Sequence, residues 1–192
     1  TFGSWTGGPA AIDPPPVATA IKERVVYLHD RPKSSQVSFY AGNPAVREDH
    51  PAYFDLLLAN HVLGGSFSSR LMTDIRETKG YTYGIYSDLV HRLGGSLFTM
   101  KWAARTEVAG PALAAIFDNI DRLRRAEMSA EELKQAKSYL AAEFARSLET
   151  QEGVADAVRK LRRMRLPDDW YDSYVSRVQA VSAPLYIKEV ER

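Results

Sequence analysis

Arg76 and Tyr83 stand seven positions apart, on either side of a break between a predicted helix and a predicted strand. The stretch Asn60–Tyr83, NHVLGGSFSSRLMTDIRETKGYTY, reads as the end of one helix, a Gly64-Gly65 break, a second helix and a stop at Gly80. Ser68 or Ser69 can cap that second helix by accepting from its orphan N–H groups. Leu71, Met72 and Ile75 form its apolar face, with Arg70, Asp74 and Glu77 elsewhere. Gly80 supplies the left-handed residue that ends a helix, and Tyr81-Thr82-Tyr83 opens a β-prone run. Arg76 thus falls in the last helical turn and Tyr83 at the start of the strand, and such a corner can aim both at one point. A cationic donor and a phenol placed there can hold a carbonyl or a developing oxyanion. The plain alternative is an ordinary helix–turn–strand, with Arg76 on the surface and Tyr83 half buried.

Other reactive side chains do not assemble along the chain. The histidines are His29, His50, His61 and His91, none paired at helical ligand spacing, and cysteine is absent. Zinc wants three or four ligands converging at close range, so a solvated cap histidine (His50) and a packed helix histidine (His61) are the better readings. His91 approaches a turn and is expected to be exposed. There is no Gly-x-Ser-x-Gly nucleophile elbow and no phosphate loop. Gly64-Gly65-Ser66 alone is a weak candidate anion nest.

The elements around the corner follow from periodicity. Residues 1–20, rich in Gly, Pro and Ala, read as a linker with an extended Pro14-Pro15-Pro16 run. Arg24–His29 and Gln36–Ala41 read as short strands around a Pro32 turn. Asp49-His50-Pro51 announces a mostly buried helix that continues from Tyr53 to Leu63. After Tyr83, two strands meet at an Arg92–Gly95 turn. Ile85, Ser87 and Leu89 alternate with Tyr86, Asp88 and Val90, and Trp102 is assigned to packing. A helix is expected from Thr106-Glu107 to about Arg125. Ser129 with Glu132 forms a capping box for a second, running to roughly Leu148. Thr150 starts a third, and Asp168 or Asp169 caps a fourth through Trp170, Tyr174 and Val178. Ser182-Ala183-Pro184 opens a last. Arg159, Lys160, Arg162, Arg163 and Arg165, interleaved with Val158, Leu161 and Met164, read as a solvated amphipathic face rather than a nucleic-acid patch.

Composition sets bounds. The 192 residues, 45% hydrophobic and 26% charged, suit one well-cored globular domain. A formal net charge of +1 gives no reason to propose nucleic acid or an anionic membrane as partner. Absence of cysteine excludes a disulfide framework and a thiolate zinc site. No apolar run approaches a membrane span and no signal pattern opens the chain, so a soluble protein of unknown compartment is expected. Starting on Thr and stopping inside its last helix, the chain reads as a cut-down piece.

The run LGGSFSSRLMTDIRETKGYTYGIYS, through Leu63-Gly64-Gly65, Phe67–Leu71, Arg76-Glu77, Gly80 and Tyr83, resembles the second-domain signature of the pitrilysin–insulysin zinc metallopeptidases, in the two-domain branch of the mitochondrial processing peptidases. The resemblance extends from about Val25 to Ser182. It implies an α+β fold, a mixed, largely antiparallel sheet with helices packed on one face. It implies residues 1–20 as interdomain linker and 21–192 as the second domain, truncated at its C-terminal helix and strand. Arg76 and Tyr83 correspond to the family's substrate-backbone and oxyanion-stabilising pair. The inverted zinc motif of the family is not in this chain, so no metal or cofactor is expected in it and zinc is expected on a complementary domain or subunit. The implied function is the substrate-binding, non-metal half of a zinc metalloendopeptidase, inactive alone. It would close a peptide-holding chamber around a peptide or unfolded polypeptide, in a full protein expected to be dimeric. The alternative is a non-catalytic structural subunit of the same superfamily, like the core proteins of a respiratory complex.

Overall fold

A computed structural model describes residues 25–92, 94–125 and 128–182, together with Ser4, Gly8 and Glu23. The expected linker (apart from Ser4 and Gly8) and most of the last helix lie outside these residues. Three strands form one antiparallel sheet in the order β1 (Gln36–Ala45), β3 (Ser96–Arg105), β2 (Thr82–Val90). Between β1 and β2 run α1 (Tyr53–Asn60), a π-helical turn His61–Gly65 and a π-helix Met72–Thr78. After β3 come α2 (Ala109–Arg125), α3 (Ala130–Ser147), α4 (Gln151–Met164) and α5 (Tyr174–Ala180).

Period-two alternation decides which sheet face meets the helices. Phe39 pairs with Trp102 across β1 and β3, their rings stacked at 4.7 Å and 6°. Trp102 pairs in turn with Ile85 on β2, and Met100 and Ala104 extend the same face. Onto this face pack Leu58, Leu71, Ile75 and Ile116, all wholly buried. Each such side chain contributes roughly 1.5–3 kcal/mol of burial free energy. The opposite face, with Tyr40, Lys101 and Tyr86, is open to solvent. Helices therefore cover one face, and the described strands are all antiparallel.

Local signals held where they are self-contained. Ser129 and Glu132 form a full capping box, and Thr150 accepts from the Gly153 N–H at 3.0 Å. Two expected elements fail. Val25–Leu28 form no strand and lie exposed, because no strand among the described residues pairs with them. Asp168 and Asp169 open turns rather than a helix, and α5 starts only at Tyr174, after Trp170 and Tyr171 have packed into the aromatic cluster of Tyr53, Phe54 and Phe144.

Candidate functional site

The corner is assembled by close backbone approach. A Cβ on Gly64 would stand 2.6 Å from Ser87 Oγ and 2.9 Å from Ser87 N, so only glycine lets the His61–Gly65 turn lie against β2. Asn60 Nδ2 donates to the Ser87 carbonyl at 3.4 Å and braces the same contact. Buried Ser69, one of the two candidate caps, accepts from the Met72 N–H at 3.4 Å. The helix that follows is wound wide: Lys79 N–H donates to the Asp74 carbonyl five residues back at 3.0 Å. Such π segments are rare and concentrate at functional sites. Gly80, at φ +62°, ends it, and its N–H donates to the Arg76 carbonyl at 3.1 Å.

Regular alternation would put Tyr83 on the core face beside Ile85. A β-bulge prevents this. Thr82 pairs with Ala104 and Ile85 with Trp102, so β2 fits one extra residue between them. The Thr82 hydroxyl donates to the Ala103 carbonyl at 2.6 Å and accepts from the Gly84 N–H at 3.2 Å, fixing the bulge. Tyr83 is thereby turned out and is 92% exposed, not half buried. Its hydroxyl makes no hydrogen bond among the described residues.

Arg76 meets it there. The guanidinium carbon lies 4.8 Å from the Phe67 ring centroid and 5.5 Å from that of Tyr83. Cation–π contact holds the group against both rings. Nη1 is 3.0 Å from Glu77 Oε1, yet it has no hydrogen-bond partner. The pair is close in distance but not aligned for a hydrogen bond, and Nη1 itself is buried. Phe67 stands in the signature run, and only the folded corner shows that its ring meets the guanidinium.

Three of the four histidines have contacts away from the corner, and His29 is exposed. His50 accepts from the Ala52 N–H through Nδ1 at 3.1 Å, in the turn before α1, whose N-cap is Ala52. His61 is buried against the Tyr139 ring at 4.6 Å, and burial lowers its pKa. His91 is only 11% exposed in its side chain, which corrects the expected exposed position. Its Nε2 lies 3.7 Å from the fully buried Glu48 carboxylate, which Lys160 Nζ approaches to 2.5 Å, and its Nδ1 is 3.1 Å from Ser96 Oγ. Burial pulls the His91 pKa down, with Glu48 opposing. Among the described residues no three His, Cys, Asp or Glu side chains converge as a metal site. These donor sets do not fit zinc.

An antiparallel sheet with helices packed on one face defines an α+β domain. The chain belongs to the family described as the peptidase M16 inactive domain, whose model matches residues 1–140. It is 28% identical over 123 residues to an uncharacterized zinc protease, YmxG, of Bacillus subtilis (strain 168), covering 64% of this chain and 30% of that protein. The fold matches the peptidase M16 inactive domain from Pseudomonas fluorescens with a TM-score of 0.74 at 25% identity, over 81% of this chain and 37% of that one. A protease from Helicobacter pylori matches with a TM-score of 0.76 at 16% identity, over 84% and 39%. The chain thus spans about a third of the length of these relatives. No helix of the described residues is long and apolar enough to cross a membrane.

Proposed function

We propose that residues 21–192 are the substrate-binding, non-metal half of a zinc metalloendopeptidase, preceded by a linker over residues 1–20. In this reading the domain closes one wall of a chamber around an extended or unfolded polypeptide, and the zinc motif lies on a complementary domain or subunit of a dimeric full protein. Arg76 donates to a backbone carbonyl near the scissile bond. The Tyr83 hydroxyl donates to the same oxygen as negative charge develops on it, where a fixed donor counts most. The observation that carries the reading is the cradle: a guanidinium held against Phe67 and Tyr83 that makes no internal hydrogen bond, beside a tyrosine whose hydroxyl is exposed. The kinship with a protein named as a zinc protease supports it further. The structural-subunit alternative gives no reason for an exposed tyrosine beside a guanidinium without an internal hydrogen bond.

Tyr83→Phe in the full-length protein tests it. The variant keeps the ring that faces Arg76 and removes one exposed hydroxyl, so melting is expected to be unchanged. Peptide turnover is expected to fall by about two to three orders of magnitude. Wild-type turnover in the variant would remove Tyr83 from the chemistry.

A further inference from the structure

The sheet face that the helices leave bare carries a row of side chains for which the corner does not account. Register places Tyr40 opposite Lys101, and Lys101 opposite Tyr86, so one Tyr–Lys–Tyr line crosses all three strands. Tyr40 is 77% and Tyr86 51% exposed, and Lys101 is exposed between them. The Lys101 ammonium lies over the Tyr40 ring, 5.6 Å from its centroid. No carboxylate among the described residues forms an ion pair with it; Asp88, two residues from Tyr86 on the same strand, does not reach it. At the other end, the row runs into the corner. The Tyr86 ring comes within 3.3 Å, and the Met72 methyl within 3.9 Å, of the point where a Cβ on Gly84 would stand. Gly84 adjoins Tyr83 in the bulge, and Met72 opens the helix that carries Arg76.

Two flat amphipathic rings flanking an unneutralised ammonium make a charge-complementary seat for a carboxylate side chain. We infer that this row is a subsite for an acidic residue of the extended polypeptide held at Arg76 and Tyr83, with Lys101 as its ionic anchor. The inference rests on the proposed function, because it takes the corner as the place where the peptide backbone is gripped. Tyr83 and Tyr86 are three residues apart, but the bulge between Thr82 and Ile85 takes up one of them, which leaves about 7 Å of strand rise. The acidic side chain therefore belongs two or three residues from the one at the corner. The tyrosines supply contact area at low entropic cost, and the lysine supplies the choice of charge.

Direct binding tests this without requiring turnover. Fluorescein-labelled peptides in which a single Glu is walked along an otherwise constant sequence, each with Gln and Lys counterparts, are titrated against the full-length protein by anisotropy, with chelator present so that no peptide is consumed. At low ionic strength one Glu register is expected to bind about fivefold tighter than its Gln counterpart, a preference that fades with added salt. Lys101→Met is expected to bring that ratio to one, and Lys101→Glu to invert it in favour of the Lys peptide. Arg76→Lys is expected to weaken every peptide alike and keep the ratio. A ratio that survives Lys101→Met overturns the inference, as does peptide binding with no charge preference at any register. Lys101 variants that alter subunit association but not the peptide ratios would make the row a protein interface, and the inference falls. If the wild-type protein binds none of the peptides, the proposed function falls with it.

Discussion

Arg70 and Arg76 stand at the two ends of one short helical segment and are used in opposite ways. Arg70 meets Glu132 fork to fork, Nε to Oε1 at 2.7 Å and Nη2 to Oε2 at 2.9 Å. That pair ties the segment to the first turn of α3, where Glu132 also accepts the Ser129 N–H. Arg76 lies against two aromatic rings with Nη1 unsatisfied. Exposure hardly separates them, at 18% and 27% of the side chain. The difference is whether a carboxylate of matching geometry meets the plane of the fork. Glu77, next to Arg76 in sequence, comes close but cannot align, whereas Glu132 arrives from another helix already oriented by its cap. A guanidinium matched inside the fold fixes the structure; one left without an internal hydrogen bond can still donate to a guest.

Three measurements break or sharpen this contrast. The largest effect is expected from Arg70→Ala, which leaves the partly buried Glu132 carboxylate without its charged partner. It should cost about 2–3 kcal/mol, read as a drop in the denaturant midpoint. A midpoint that does not move would make Arg70 no more structural than Arg76.

Acid comes next. The Arg70 hydrogen bond, opposed by burial, holds the Glu132 carboxyl down from 4.5 to about 2. The unfolded chain takes up that proton near the ordinary value and the folded chain only near 2. The stabilisation is therefore complete above about pH 4.5 and is lost as pH falls from there towards 2. Because the carboxylate is one-third exposed, solvent screening limits the loss to about 1–2 kcal/mol. Denaturation curves at successive acid pH values should show this limb in the wild type and a flattened one in Arg70→Ala.

The smallest effect on stability is expected from Arg76→Ala, below about 1 kcal/mol, since no internal hydrogen bond is lost and only a half-exposed ion pair with Glu77 and stem and ring contacts go. Peptide binding by the full-length protein should nonetheless suffer. A midpoint loss as large as that of Arg70→Ala would place both arginines in the same structural role.

What could be read from the sequence divides along the range of the forces involved. The Ser129–Glu132 box, the Thr150 cap, the Gly80 stop and the alternation from Ile85 to Leu89 are each decided within a few residues, and each formed. The approach of Arg76 and Tyr83 was legible as a helix-to-strand corner. The exposure of Tyr83 was not, because it depends on a bulge set by register with Ala104 and Trp102 on another strand. The Arg70–Glu132 pair spans 62 positions, and no local pattern announces it. His91 misled in the same way: its turn looks solvated in sequence, but Glu48 and Lys160 close over it from distant segments. Arg24–His29 has strand composition throughout, and the described part, from Val25, still forms no strand, since a strand is a property of a pair.

The wide winding of Met72–Thr78 sets how this corner can change in length. A π segment stores roughly one more residue per turn than an α-helix. Losing a residue there lets the backbone return to α pitch with both ends still joined, to Ser69 on one side and to Gly80 on the other. Phase is kept as well, because the wide segment and an α segment one residue shorter make nearly the same number of turns. One deletion before Arg76 would leave it facing Phe67 and Tyr83, whereas the same deletion in a helix already at α pitch would swing it by about 100°. The spare residue is slack that the corner can lose without changing its bearing.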